Sequence, residues 1–192
     1  AAAADRGGPD IAVGVALAAG ADLAALQEVA IDHPKSPGAD PLRIMGERLD
    51  RKWIFGKAFS AGVPGRFYDY GLGVLSRWDM TREEVLPLPC PAGAEPRIAL
   101  IVRIDAPVPF YFICTHLSFG ETPEFGRIRL EQIVAIRKCV REKGYLPAVL
   151  AGDFNATPET SCVRSLEDVC VFACGKEPTF PSVVPTIKID YI

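Results

Sequence analysis

The apolar positions of this chain fall into short runs more often than into helical stripes. Residues 148–151 are apolar without a break, as expected of a strand covered on both faces. Residues 98–105 and 110–117 are two further β segments, and the Ala-Pro-Val-Pro connection between them predicts a hairpin. Residues 23–29, 53–59 and 70–77 predict three more strands, with a short one over 85–88. Gly71 and Gly73 alternate in one of these, leaving a bare face for another backbone or a ligand. A last strand, carrying an acid, starts over residues 187–192.

Helical spacing is rarer. Leu42, Met45 and Leu49 predict a helix over 41–51. Phe125, Ile128, Ile133, Ile136 and Val140 predict a longer one, opened by Thr122-Pro123-Glu124 and ended by Gly144. Arg127, Arg129, Arg137 and Lys138 read as its solvated face. Thr157-Pro158-Glu159 repeats the opening and predicts a helix over 158–170. A short helix is expected over 9–19, closed by Gly20, and loops over 30–41 and 60–69. Strands outnumber helices and run largely apolar. Two sheets packed face to face with helices outside satisfy that pattern, an α/β class of the α+β type.

Length and composition narrow the function classes. A chain of 192 residues with 49% hydrophobic content is long enough for one domain with a substantial core and too apolar to be disordered. A net charge of −3 argues against a broad basic surface for nonspecific nucleic-acid binding. No apolar run reaches membrane-spanning length without charges. The Ala-rich stretch near the start is interrupted by acids and reads as helix and strand, not as a targeting segment. Six irregularly spaced cysteines without a C-x-x-C pair read as free thiols, which favours a reducing compartment; a signal removed upstream would make the chain an exported one. A structural zinc site on Cys162, Cys170 and Cys174 is a weaker reading, with only two histidines in the chain.

Four places carry candidate chemistry. After the 148–151 run come Asp153, Phe154 and Asn155. In extended backbone Asp153 and Asn155 share a face and Phe154 takes the other. A carboxylate there can ligate a hard cation or orient a water, and the amide can donate to a phosphoryl oxygen. The competing reading is a plain Asp-Phe-Asn turn. Glu28 ends an apolar strand, where a carboxylate is costly unless paired. His116 ends another strand, with a hydrogen-bonded core histidine as the competing reading. Arg97 precedes a strand and can reach phosphate, against a surface role.

Five segments occur in a telling order: LQE (26–28), YGLGVLSR (70–77), THL (115–117), GDFN (152–155) and IDYI (189–192). Together they resemble the endonuclease/exonuclease/phosphatase superfamily, and the TFPS…PT…KIDYI ending looks like its small bacterial members. The resemblance implies a four-layer α/β/β/α sandwich with the site where strands of both sheets end. It implies a metal-binding role for Glu28, with Mg²⁺ or Mn²⁺ as cofactor. Asp153 resembles the Asp that orients the attacking water, and Asn155 the Asn that contacts the scissile phosphate. His116 sits where relatives place a histidine that contacts the phosphate or helps the leaving group. Asp190 resembles the Asp that holds a catalytic histidine.

The expected function is hydrolysis of a phosphodiester, or a phosphomonoester, in a small molecule, a lipid headgroup or a nucleic acid. No obligate protein partner is evident. Two elements of the family pattern are missing: an Asn ahead of LQE, and a Ser-Asp-His segment after IDYI. Residues 1–192 therefore read as a single domain lacking both terminal strands. That opens an alternative, a catalytically impaired or non-catalytic binding member of the same fold.

Overall fold

The computed structural model of the protein describes residues 20–192, so the helix expected over 9–19 lies outside the described residues. The described elements are β1 (Leu23–Ile31), α1 (Pro41–Leu49), β2 (Lys52–Val63), β3 (Arg66–Ser76), β4 (Met80–Pro87), β5 (Ile98–Ile104), β6 (Phe110–His116), α2 (Pro123–Lys143), β7 (Ala148–Asp153), α3 (Ser161–Arg164) and β8 (Asp190–Tyr191). They form a three-stranded sheet in the order β1-β3-β2 and a five-stranded sheet in the order β4-β5-β6-β7-β8. All pairings are antiparallel except β6 with β7, which α2 joins as a crossover.

Three apolar layers hold this together. Leu72 and Val74 of β3 meet Leu100, Val102, Phe112 and Cys114 of β5 and β6 between the sheets. On the outer face of the large sheet, Ala99, Ile101 and Ile113 pack against Ile133 and Ile136 of α2 and Leu166 after α3. On the outer face of the small sheet, Val29 and Leu75 pack against Leu42 and Met45 of α1. The result is the expected α/β/β/α layering. The bare face of β3 is explained here: a Cβ on Gly73 would lie 2.7 Å from a Leu42 methyl, so the glycine makes room for α1.

Several boundaries differ from the sequence expectations, each for a local reason. β2 and β3 continue through the expected 60–69 loop, because residues 60–63 pair with 66–69 around a two-residue turn at Pro64 and Gly65. The glycines and proline there mark a hairpin tip, not a loop. β4 is longer than expected, since its alternating residues pair along nearly all of β5. The 158–170 helix shrinks to Ser161–Arg164: Thr160 is the N-cap, and beyond it Leu166, Glu167 and Val169 bond three residues back in tight turns. In the last segment only Asp190 and Tyr191 join the sheet. Arg129 leaves the solvated face assigned to it: it is buried on α2 and donates to the Ser118 and Gly120 carbonyls, both at 2.9 Å.

Phe154 is 1% exposed and stacks on Tyr191 with ring centroids 4.9 Å apart, tying the end of β7 to β8. Truncating a buried Phe costs about 3–5 kcal/mol. Phe154→Ala is expected to lower the urea midpoint by that amount of stability, and an unchanged midpoint would show that this contact is not part of the cooperative core.

Candidate active site

Sheet register brings the site together. His116 ends β6, Asp153 ends β7, and the two are Cα partners in the parallel ladder. Asp190 opens β8 and is the antiparallel partner of Asp153. Partner residues on neighbouring strands share a face, so the three form one row across the end of the large sheet. Gly152 lets β7 approach β6 this closely: its φ is +155°, and a Cβ there would lie 2.0 Å from the Thr115 carbonyl oxygen.

Asn155 reaches the row by a turn, not by extended backbone. Its φ is +48°, and its N–H donates to Asp153 Oδ1 at 2.7 Å. The side chain folds back, with Nδ2 donating to the Leu117 carbonyl at 3.0 Å and standing 3.1 Å from His116 Nε2. The Asp-Phe-Asn stretch is thus both a turn and a means of joining the two side chains.

Glu28 comes from the other sheet. β1 does not end at this residue but runs on to Ile31, with a bulge between Leu26 and Val29. Glu28 occupies it with φ +59° and is exposed. Ala24 and Leu26 face α1, and Gln27 turns inward to Cys114. The extra residue resets the alternation, so that Val29 faces α1 again. β1 packs against β6 and β7, which puts Glu28 near enough to raise the pKa of Asp153.

Arg97 is not a surface residue. It is 9% exposed and stands 3.1 Å, through Nη1, from His116 Nδ1. The same nitrogen lies 2.5 Å from Glu95 Oε1, and the guanidinium also bonds Tyr70. Tyr70, Arg97 and His116 line a small cavity with Ala58, Leu72 and Pro96.

Burial dominates the electrostatics. It pushes His116 down to about 3, helped by the Arg97 charge, so the ring is neutral at physiological pH. Burial also pushes Asp153 up to about 6; Asp190 and Glu28 add to the rise, while the Asn155 N–H opposes it. Tyr70 is raised by burial and then by Glu28 and Glu95. Among the described residues, no three or more His, Cys, Asp and Glu side chains gather closely enough to enclose a metal ion, the late cysteines included. A hard cation needs less than that. Glu28 offers an exposed carboxylate, a hard oxygen donor of the kind that Mg²⁺ or Mn²⁺ takes, and its charge is felt at Asp153.

Residues that support the site were not evident from the sequence. Gln132 is fully buried on α2; its Oε1 accepts the Ser118 N–H at 3.0 Å and its Nε2 donates to the Pro89 carbonyl at 2.7 Å. With Arg129 it pins the loop that follows His116. The signal was there: residues 125, 129, 132 and 136 lie along one helical stripe, so two polar side chains interrupt a core-facing line.

Similar structures carry the same fold. A member of the endonuclease/exonuclease/phosphatase group from Beutenbergia cavernae is 26% identical with TM-score 0.73, covering 95% of this chain and 57% of its own length. The chain therefore spans little more than half of that protein. A mannosyl-6-phosphatase from Bacteroides thetaiotaomicron is 17% identical with TM-score 0.66, over 95% of this chain and 74% of its own. The human Nocturnin catalytic domain with bound sulfate is 17% identical with TM-score 0.64, over 95% and 73%. No curated protein matches the chain in sequence. The profile of the endonuclease/exonuclease/phosphatase family matches residues 3–192, and the chain belongs to that family.

Proposed function

We propose that this chain hydrolyses a phosphoric ester with the help of a divalent metal, and that Asp153 orients the attacking water. The observation that carries this reading is the row of His116, Asp153 and Asp190 on three adjacent strands, with Asn155 folded onto it. The family acts on phosphoesters, which supports the reaction class. A phosphatase and a sulfate-binding catalytic domain among the similar structures support a tetrahedral oxyanion as the bound group.

Glu28 would hold the metal, which when bound neutralises charge on the phosphoryl oxygens and eases deprotonation of water. The remaining steps belong to the chain's own groups. Asp153 accepts a proton from water as the water oxygen bonds to phosphorus. The ester P–O bond opposite breaks, and its electron pair leaves with the alcohol oxygen, which takes a proton from solvent. Asn155 Nδ2 donates to a non-bridging oxygen and stabilises the charge that develops there. Asp190 keeps Asp153 basic by its negative charge. The net charge of −3 favours a small phosphoester or a local contact over a long nucleic-acid track.

The test is turnover of a chromogenic phosphodiester and a chromogenic monoester, in EDTA and with added Mg²⁺ or Mn²⁺. Turnover is expected only with metal, and Asp153→Asn is expected to lose roughly 10²–10⁴-fold in kcat/KM. Glu28→Gln is expected to shift metal dependence to higher concentration. A folded chain inert towards both esters with both metals would overturn the hydrolase reading and leave these donors a binding role.

The same carboxylate carries a stability cost. A folded-state value raised from 3.8 to about 6 means that the fold prefers protonated Asp153. Its stability contribution is full below about pH 4 and is lost as pH rises through about 6, a difference of about 3 kcal/mol. In EDTA, Asp153→Asn is therefore expected to be more stable than the parent chain at pH 7.5 and no more stable at pH 4. Thermal melts at the two pH values check this; an equal difference at both would exclude the buried charge as its source.

A further inference from the structure

His116 is held between donors. On one side Arg97 Nη1 stands 3.1 Å from Nδ1. A guanidinium has N–H donors and no acceptor, so this contact is a hydrogen bond only when Nδ1 bears the lone pair. The neutral ring then carries its proton on Nε2. An imidazolium would set Nδ1–H against a guanidinium N–H and one cation beside another. Burial also disfavours it, holding His116 near 3.

On the other side Asn155 Nδ2 stands 3.1 Å from Nε2. Leu117 fixes the sense of that amide, because its carbonyl accepts from Nδ2 at 3.0 Å. Turned over, the amide would set oxygen against oxygen. The remaining Nδ2 hydrogen thus shares the space beside Nε2–H. Asp153 Oδ2 is 3.8 Å from Nε2, beyond hydrogen-bond range. A further N–H of the cluster, Arg97 Nε, is buried with no hydrogen-bond partner among the described residues. Buried donors in surplus are costly, and they are relieved by an acceptor from outside.

We propose that Arg97 is a positioning residue that locks His116 in its Nε2–H tautomer, and that Nε2–H with Asn155 Nδ2 forms a two-donor clamp for one non-bridging phosphoryl oxygen. The clamp rests on the hydrolase reading; the tautomer does not. It decides between the two roles that the family resemblance implies for His116: the ring gives a hydrogen bond and keeps its proton, and the leaving group is protonated from elsewhere. Glu95 and Tyr70, which bond the guanidinium, hold Arg97 in place for this work.

The tautomer can be read directly from ¹⁵N spectra of histidine-labelled protein, with His33→Gln assigning the second ring. The expected wild-type spectrum shows a bare Nδ1 and a protonated Nε2 from pH 5 to pH 8. Adding inorganic phosphate with Mg²⁺ is expected to shift the Nε2 resonance while Nδ1 stays bare. Arg97→Met is expected to let an Nδ1–H population appear and to lose roughly 10- to 100-fold in kcat/KM, as for a hydrogen bond to a charged group. Arg97→Lys, which keeps a donor-only partner, is expected to recover most of the loss and the wild-type tautomer. Nδ1–H or an imidazolium in the wild-type protein would overturn the tautomer assignment, and so would an unchanged ring in Arg97→Met. An Nε2 resonance indifferent to phosphate would overturn the clamp. Should Arg97→Met not fold, the wild-type spectrum decides alone. The spectra need no turnover, so failure of the tautomer and failure of the hydrolase reading are separate results.

Discussion

The parallel pairing of β6 with β7 is the constraint on which the site depends. It sets His116 beside Asp153 with no help from a loop, and a one-residue slip would separate them. The pairing has two requirements. One is a residue without a side chain at position 152, where the Thr115 carbonyl leaves no space for a Cβ. The other is a crossover between strands that run the same way. α2 supplies it and covers the outer face of both strands with Ile133 and Ile136. The polar residues of that helix, Arg129 and Gln132, then fix the loop leaving β6. Core, crossover and site are one cooperative unit.

That unit is arranged at some expense to stability. A carboxylate, an imidazole and a guanidinium are buried within a few residues' width, and the acid is pushed towards neutrality. Two non-glycine residues adopt left-handed backbone at the site, Glu28 and Asn155. Strain of this kind persists where surrounding structure over-determines it. Here the surrounding structure is the strand pairing of β1 with β3 on one side and the buried Phe154 on the other.

Much of this was legible in the chain. Largely apolar runs such as 98–104, broken only by Arg103, become the central strands, because both of their faces are covered. The helix of α2 begins at Pro123 and ends before Gly144, where proline and glycine chemistry leave little choice. Glu28, His116, Asp153 and Asn155 stood out as polar residues closing apolar runs, and the structure brings the last three together; the roles expected of them came from a resemblance in short motifs. What was not legible depended on neighbours distant in sequence. Arg97 reads as a surface arginine until β6 places His116 against it. The 60–69 segment reads as a loop because its turn residues are local, whereas its cross-strand pairs are not. The 158–170 helix failed because its opening signal lay three residues too early, and tight turns replaced the expected continuation.

The bulge in β1 gives the fold a form of adjustability. In a regular strand every side chain is committed to one of two faces, and a carboxylate cannot be moved without disturbing a core. An extra residue uncouples Glu28 from that alternation while Gln27 and Val29 keep their own layers. The reach and identity of residue 28 can therefore drift between descendants of such a chain at little expense to either interior. Removing the residue altogether would leave a regular strand with Val29 and Ile31 still facing α1, and the carboxylate would be lost together with the irregularity that frees it. Substitution at this position is an evolutionary dial; deletion discards the dial and leaves the strand in register.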